Sequence, residues 1–315
     1  MTAEKTKFTY MKHKVLYTFY CLTISVIIVS CSSNPYKASN KSYKEQLKVY
    51  KETISNTEPA QLETSNTTIL PPIDVTTIDP LALYKDTLSI KSPIALMNGI
   101  STEWISTVNF NLRKPNFIIL HHTAQDSLAQ TLKTFTTTKP QVSSHYVIAD
   151  DGRVVQMVND YLRAWHGGNA IWGKNTDINS ASIGIELDNN GFEPFSDKQI
   201  ISLLALLTKL KKDYNIPTQN IIGHSDIAPT RKTDPSKLFP WKLLALNDFG
   251  IWPDEVLETA PENFNVEQAL RIIGYNTKNL SSAIAAFKLH YIQTEVDSVL
   301  DEKTINTIYS IYKKQ

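Results

Sequence analysis

The stretch ASIGIELDNNGFEPFSDKQIISLLALLTKL, residues 181–210, contains two hydrophobic periods in succession, and the fold class follows from them. In its first third Ile183, Ile185 and Leu187 alternate with Ser182, Gly184, Glu186 and Asp188, the period of a strand with one buried face. Ser196 then stands three residues before Gln199, a capping-box pattern, and Ile200, Leu203, Leu204, Leu207 and Leu210 recur at helical spacing. A strand that leads into an amphipathic helix is the building unit of α/β proteins.

The neighbouring segments extend this pattern. Upstream, NFIILHHTA (116–124) is a short apolar run suited to a buried strand, and HYVIADDGRVVQMV (145–158) has two β-rich runs around Asp151-Gly152, a hairpin signal. Downstream, NIIGHSD (220–226) reads as a strand that ends in a loop. The expected fold is therefore α/β, a mixed sheet flanked by helices. Beyond Pro261 the pattern changes to short helices. The first is capped by Asn265 and stopped by Gly274, the second is SSAIAAFKLHY, and the third is capped by Asp301 with Ile305, Ile308 and Tyr309 on one face. These predict a small C-terminal three-helix module.

The N-terminal part has a different composition. Lys12, His13 and Lys14 precede the apolar run VLYTFYCLTISVIIV, which meets Ser30 and Cys31. That run is too short for a membrane span, and charged start, greasy middle and small residues describe a secretory signal, with Met11 a possible start. The sequence IVSC (28–31) resembles the bacterial lipobox, which implies that Cys31 is lipidated. From Ser32 the chain is rich in Ser, Thr, Asn, Lys and Pro, the composition of a flexible tether; roughly 60 such residues have a mean reach of about 40 Å. Within it YKEQLKVYKETI predicts a helical turn or two. The cysteines are Cys21 and Cys31, and Cys21 would leave with the signal, so no disulfide is expected. A net charge of +1 gives no reason to expect nucleic acid as a partner. The expected divisions are a signal over 1–31, a tether over 32–100, the α/β domain over 101–258 and the helical domain over 259–315.

Chemistry concentrates at the strand ends, where α/β sheets carry their sites. His121-His122 ends one strand, Glu186 lies on the small-residue face of another, His224 ends a third, and Lys232 and Asp234 lie in the proline-flanked loop beyond. A catalytic zinc site takes three protein ligands and leaves a position for water, and His121, His224 and Asp234 supply that number. Spacing alone leaves alternatives open. Only one of His121 and His122 can face a cleft, Asp226 competes with Asp234 as ligand or imidazole partner, and Lys232 and Glu186 also read as surface charges.

Taken together, FIILHHTA, SSHYVIADDGRVVQMV, AWHGG, TDINSASIGIELDN and IIGHSDIAPTRKTDPSKLFPW, in this order, resemble the zinc-dependent N-acetylmuramoyl-L-alanine amidases of the Amidase_2 type, especially their outer-membrane lipoprotein members. The resemblance runs from about residue 107 to Trp252, and the tail, with ALRIIGYN and AIAAFKLHY, is similar to a peptidoglycan-binding three-helix module. It implies one Zn²⁺ held by His121, His224 and Asp234, Glu186 as catalytic carboxylate and general base, and Lys232 as the partner of the oxyanion. The related animal peptidoglycan recognition proteins carry cysteine at the Asp234 position in their catalytic members. His122 stands where the lipoprotein members have an aromatic residue, and no role is inferred for it. His145 and His166 match motifs near the cleft, where substrate contact and structural hydrogen bonding are both open. The implied substrate is peptidoglycan or muropeptide, and the implied place is the bacterial cell envelope, through a lipid anchor in the outer membrane. A lipid-anchored peptidoglycan-binding protein without catalysis is the alternative.

Overall fold

The computed structural model describes residues 37–56, 114–137 and 139–315. The signal, Cys31 and most of the tether lie outside the described residues. Helix α1 (Lys37–Asn56) belongs to one compact unit, and everything from Lys114 onward belongs to another. Where a turn or two of helix was expected inside the tether, α1 runs for 20 residues, with Lys41–Glu45 and Lys48–Glu52 pairs one turn apart on its surface. No helix among the described residues is long and apolar enough to cross a membrane.

The second unit is built on a five-stranded mixed sheet of order β3-β2-β4-β1-β5. The strands are β1 (Phe117–His122), β2 (Tyr146–Ile148), β3 (Val154–Gln156), β4 (Ser182–Leu187) and β5 (Ile221–Gly223). Strands β2, β4, β1 and β5 are parallel, and β3 returns antiparallel to β2 through the Asp151-Gly152 turn, where Gly152 has φ +88°. The helices from here on are α2 (Leu128–Phe135), α3 (Ile178–Ala181), α4 (Asp197–Tyr214), α5 (His224–Ile227) and α6 (Trp241–Leu246), followed by the C-terminal α7 (Val266–Ile273), α8 (Leu280–Tyr291) and α9 (Glu302–Tyr312).

The alternation in β1 and β4 sorts their side chains onto two faces. Ile118, Leu120, Ile183, Ile185 and Leu187 point into one core, closed by Leu203, Leu207 and Leu210 of α4 and by Phe239 and Trp241. Ile119 and Ile222 face the other way, into a second core shared with Trp172, Ile227 and the C-terminal residues Leu270, Tyr275, Phe287 and Ile308. The C-terminal helices thus cover the sheet face opposite α4 and share its core.

The helix caps follow the expected residues. Ser196 accepts from Gln199 N, Asn265 from Gln268 N and Asp301 from Thr304 N. Half of the expected capping box is used otherwise. The Gln199 side chain is fully buried and donates to the carbonyls of Ile148 and Asp188, tying α4 to the ends of β2 and β4.

Candidate active site and metal centre

Register brings the polar residues together. In the β1–β4 pair His121 lies opposite Glu186, and in the β1–β5 pair Leu120 lies opposite Gly223, so His224 emerges next to His121. Sequence reading expected a loop after β5. Instead His224 opens the four-residue helix α5, too short to show a hydrophobic period, and the chain returns so that Ser225 N donates to Asp234 O at 2.8 Å. That turn carries the Asp234 carboxylate back to the imidazoles. His121 Nδ1 and His224 Nδ1 are 2.9 Å apart, and Asp234 Oδ2 lies 3.2 Å and 3.0 Å from them. All three residues are buried, and their ligand atoms lie within 4.8 Å of one another.

The hydrogen bonds behind the two rings decide which nitrogen is free. His224 Nε2 lies 3.1 Å from the carbonyl of Gly167, which can only accept, so Nε2 carries the proton and a neutral ring leaves Nδ1 bare. The His121 side is a three-step relay. Ser182 Oγ donates its one proton to Ile178 O, and therefore accepts from His166 Nε2 at 3.2 Å. His166 Nδ1 is then the acceptor of His121 Nε2, at 3.1 Å, and His121 Nδ1 is bare as well. Two lone pairs and a carboxylate oxygen crowd one point, which is repulsive unless positive charge lies among them. A divalent cation fits this donor set, and the fixed tautomers are those of metal-ligating histidines.

The electrostatics agree. Burial, and then the neighbouring His224, push His121 down to about 4, so its ring is neutral near pH 7. Burial, and then His121, push His166 well below its ordinary value. Burial by itself would raise the Asp234 carboxyl, but the hydrogen bonds it takes from His121 and His224 when those rings are protonated outweigh this and hold it well below the usual carboxylate range. Glu186 shows the opposite effect. Burial, then Asp234, push it up to about 8 against the pull of Lys232, and its Oε2 is buried without a hydrogen-bond partner. Its Oε1 lies 4.0 Å from His121 Nδ1.

The remaining expected residues divide between the cleft and its supports. Lys232 is half-buried, and its charge acts on Glu186 and His121. His122 points to the other side of β1, accepts from Ser236 N at 3.1 Å and packs on Gly191. Asp226 is fully buried and bonded to Tyr275 and His290, so it is not a member of the donor set. Of the two readings the sequence leaves open for it, His145 has the structural hydrogen bonding. It is wholly buried, its Nε2 donates to Leu162 O, and its Nδ1 accepts from Gly184 N, so neither nitrogen is free for a ligand. His166 is 8 % exposed and stands behind His121, with both nitrogens engaged.

Three supports went unmarked in the sequence. Asn179 Oδ1 accepts from the backbone of His166 and Gly167, Arg231 donates to Gly167 O at 2.7 Å, and Ser182 ends the His166 relay. Asn179 and Ser182 lie inside TDINSASIGIELDN, and they hold the AWHGG turn, but pairings across 12 to 64 positions leave no local signal. Beside the turn, a groove of about 410 Å³ is lined by Phe135, Val142 and the half-exposed Trp165.

A parallel-centred sheet with two histidines and a half-buried glutamate at its strand ends, and an aspartate returned to them by the following loop, defines a class, an α/β protein with the donor set of a metal-dependent hydrolase. The family profile described as N-acetylmuramoyl-L-alanine amidase, Amidase_2, matches residues 111–237. The chain is 33% identical over 222 residues to the N-acetylmuramoyl-L-alanine amidase AmiD of Escherichia coli, covering 59% of this chain and 78% of that protein. It is 41% identical over 103 residues to the 1,6-anhydro-N-acetylmuramyl-L-alanine amidase AmpD of Haemophilus influenzae, covering 32% of this chain and 56% of that one. Among solved structures, E. coli AmiD in complex with the substrate anhydro-N-acetylmuramic acid-L-Ala-D-gamma-Glu-L-Lys superposes with a TM-score of 0.59 at 29% identity, over 70% of this chain and 98% of that one. Pseudomonas aeruginosa AmpDh3 with anhydromuramic pentapeptide gives 0.59 at 28%, over 69% and 99%. This chain belongs to the Amidase_2 family of N-acetylmuramoyl-L-alanine amidases and is an amidase.

Proposed function

We propose that the protein hydrolyses the amide between the lactyl group of N-acetylmuramic acid and the L-alanine of the stem peptide, in peptidoglycan or muropeptides, with zinc as its cofactor. The observation that carries this reading is the meeting of two bare Nδ1 atoms and the Asp234 carboxylate at one buried point. The residues that would hold the ion are His121, His224 and Asp234. The chemistry a bound zinc supplies is Lewis acidity, toward water and toward an amide carbonyl.

The chain's own groups do the rest. Glu186, with one buried oxygen unpartnered, takes the proton of the attacking water and passes it to the leaving amine. Without a cation, burial pushes this carboxyl up to about 8; positive charge at the neighbouring donor set would favour the ionised form that accepts the proton. The Lys232 ammonium faces the charge that develops on the carbonyl oxygen, and one such donor is worth about 3 kcal/mol. The relay through His166 and Ser182 and the Gly167 carbonyl keep both imidazoles turned the right way.

Purified protein incubated with muramyl peptides, with and without a chelator, and followed by mass spectrometry tests this. The expected outcome is free L-alanine ends in the metal-containing sample only. Cleavage in neither sample would favour a peptidoglycan-binding protein without catalysis, and cleavage at another amide would reassign the substrate. Glu186→Ala is expected to keep stoichiometric zinc and lose most turnover, whereas His224→Ala loses the metal.

We further propose that Cys31 is lipidated, that the segment after it tethers the enzyme to the outer membrane of the cell envelope, and that the C-terminal helices contribute to holding peptidoglycan. What supports the anchor is the IVSC sequence after a short apolar run. Mass spectrometry of the mature N-terminus and fractionation of Cys31→Ala test it; an unmodified cysteine, or a variant that stays with membranes, would sink it.

A further inference from the structure

The metal-ligand loop is held from behind by the C-terminal helices. Asp226, two residues beyond His224, is fully buried and accepts three hydrogen bonds. One comes from Gly223 N at 2.7 Å, within its own turn. The other two come from the C-terminal residues Tyr275, whose hydroxyl donates to Oδ1 at 2.5 Å, and His290, whose Nδ1 donates to Oδ2 at 2.7 Å. The His290 ring is itself fixed, stacked 3.8 Å from Trp241 on one side and 4.0 Å from Tyr291 on the other.

The same helices also grip the other parts of the site. Gly274 O accepts from Gly173 N, and Gly274 lies so close to Trp172 that a Cβ would come within 2.2 Å of the indole; Trp172 belongs to the loop whose Gly167 carbonyl sets the His224 tautomer. That loop is bonded in turn to α5, through Ile171 N to Ile227 O at 2.9 Å. Gln293, just past α8, donates to the carbonyls of Lys237 and Phe239, downstream of Asp234. Each segment that brings a metal donor from outside β1 is thus clamped by the C-terminal helices.

We infer that Tyr275 and His290 are positioning residues of the metal centre, which by fixing Asp226 hold the α5 turn where His224 Nδ1 and Asp234 Oδ2 meet His121. This makes the C-terminal helices part of the metal site, in addition to any hold on the wall, and it rests on the metal reading of the three donors. The burial supports it physically. A carboxylate with no exposed surface must keep its donors, and removing one leaves the turn to shift or to admit water.

The test uses the full chain and its metal affinity, measured by competition with a chromophoric chelator, together with the visible spectrum of the Co²⁺-substituted protein. Tyr275→Phe, which deletes one oxygen, and His290→Leu are each expected to weaken Zn²⁺ binding about tenfold or more and to change the Co²⁺ bands. His290→Asn, whose side-chain amide can donate from near the Nδ1 position, is expected to recover most of the affinity. Leu207→Ala, a cavity in α4 within the core on the opposite face of the sheet, serves as the stability control, with a lower melting temperature and unchanged affinity and spectrum. Equal affinity in Tyr275→Phe and the parent, or the same loss in Leu207→Ala at equal loss of melting temperature, overturns the inference. If the parent itself bound no Zn²⁺, the metal reading would fail first, and the parent measurement shows that separately. Should His290→Leu not fold, Tyr275→Phe decides alone.

Discussion

At His121 the ring nitrogen left bare is decided by a proton two side chains away, on Ser182. Ser182 can give its single proton only once, and because Ile178 O takes it at 2.6 Å, the direction of every bond up to His121 Nδ1 is set. His166→Leu removes the acceptor of His121 Nε2, so the ring is free to place its proton on Nδ1. Zinc affinity measured by chelator competition should fall about 10- to 100-fold, with far-UV circular dichroism unchanged. Glu186 makes a prediction about pH. In chelator-treated protein its folded value of about 8 lies above its ordinary value of 4.5, so between these the folded state binds the extra proton. Its contribution is then fully present below about pH 4.5 and is lost as the pH rises through 8. His121, pushed down to about 4, acts in the opposite sense: the unfolded chain binds the proton between 4 and 6.5, so that stability rises over that interval. Glu186→Gln should therefore remove the decline toward pH 8 in metal-free denaturant unfolding and leave the rise below 6.5. A variant whose profile still declines would assign the effect to another group.

Strand β4 carries both core and site because its alternation sorts Ile183, Ile185 and Leu187 from Ser182, Gly184 and Glu186. Gly184 belongs to the polar set for a steric reason. A Cβ there would lie 2.4 Å from the His166 ring, so Gly184→Ala must push the relay histidine out of place. It should cost about 1 to 3 kcal/mol in unfolding experiments and weaken metal binding as well, whereas a purely structural glycine would show the first effect alone. At the start of α4, Ser196→Ala should cost about 1 kcal/mol through the lost cap on Gln199 N, with metal binding untouched. These elements were readable because period and caps are local. The strands around Ile119, Ile183 and Ile222, the hairpin at Gly152 and the caps of α4, α7 and α9 all stand where the residue pattern put them. What the pattern could not show is set by long-range contact. Gln199 left its capping box for two carbonyls at strand ends, His145 turned inward to bond Gly184, and α5 is too short to have a period.

The C-terminal helices were recognisable from Asn265, Gly274 and Asp301, but their relation to the sheet was not, since nothing in ALRIIGYN says that Tyr275 meets Asp226 or that Gly274 lies against Trp172. Packing decides that relation. Ile119 and Ile222 of the sheet, Ile227 of α5 and Leu270, Phe287 and Ile308 of the C-terminal helices close a single core, and separating them would expose apolar surface on both sides. Residues from Lys114 onward should accordingly unfold as one cooperative unit, in one calorimetric transition, despite the change of composition near residue 259. Metal then provides a way to follow the coupling. An ion that binds only the folded state adds about 2.7 kcal/mol at a hundredfold excess over its Kd, and in a cooperative unit that gain reaches every element. Hydrogen exchange of the slowest amides in α9, whose Ile308 and Ile311 lie in the shared core, should slow on zinc addition by the same factor as those of β1. If β1 gains protection while α9 exchanges as before, the C-terminal helices open independently of the sheet, and the core they share does not bind them into one folding unit.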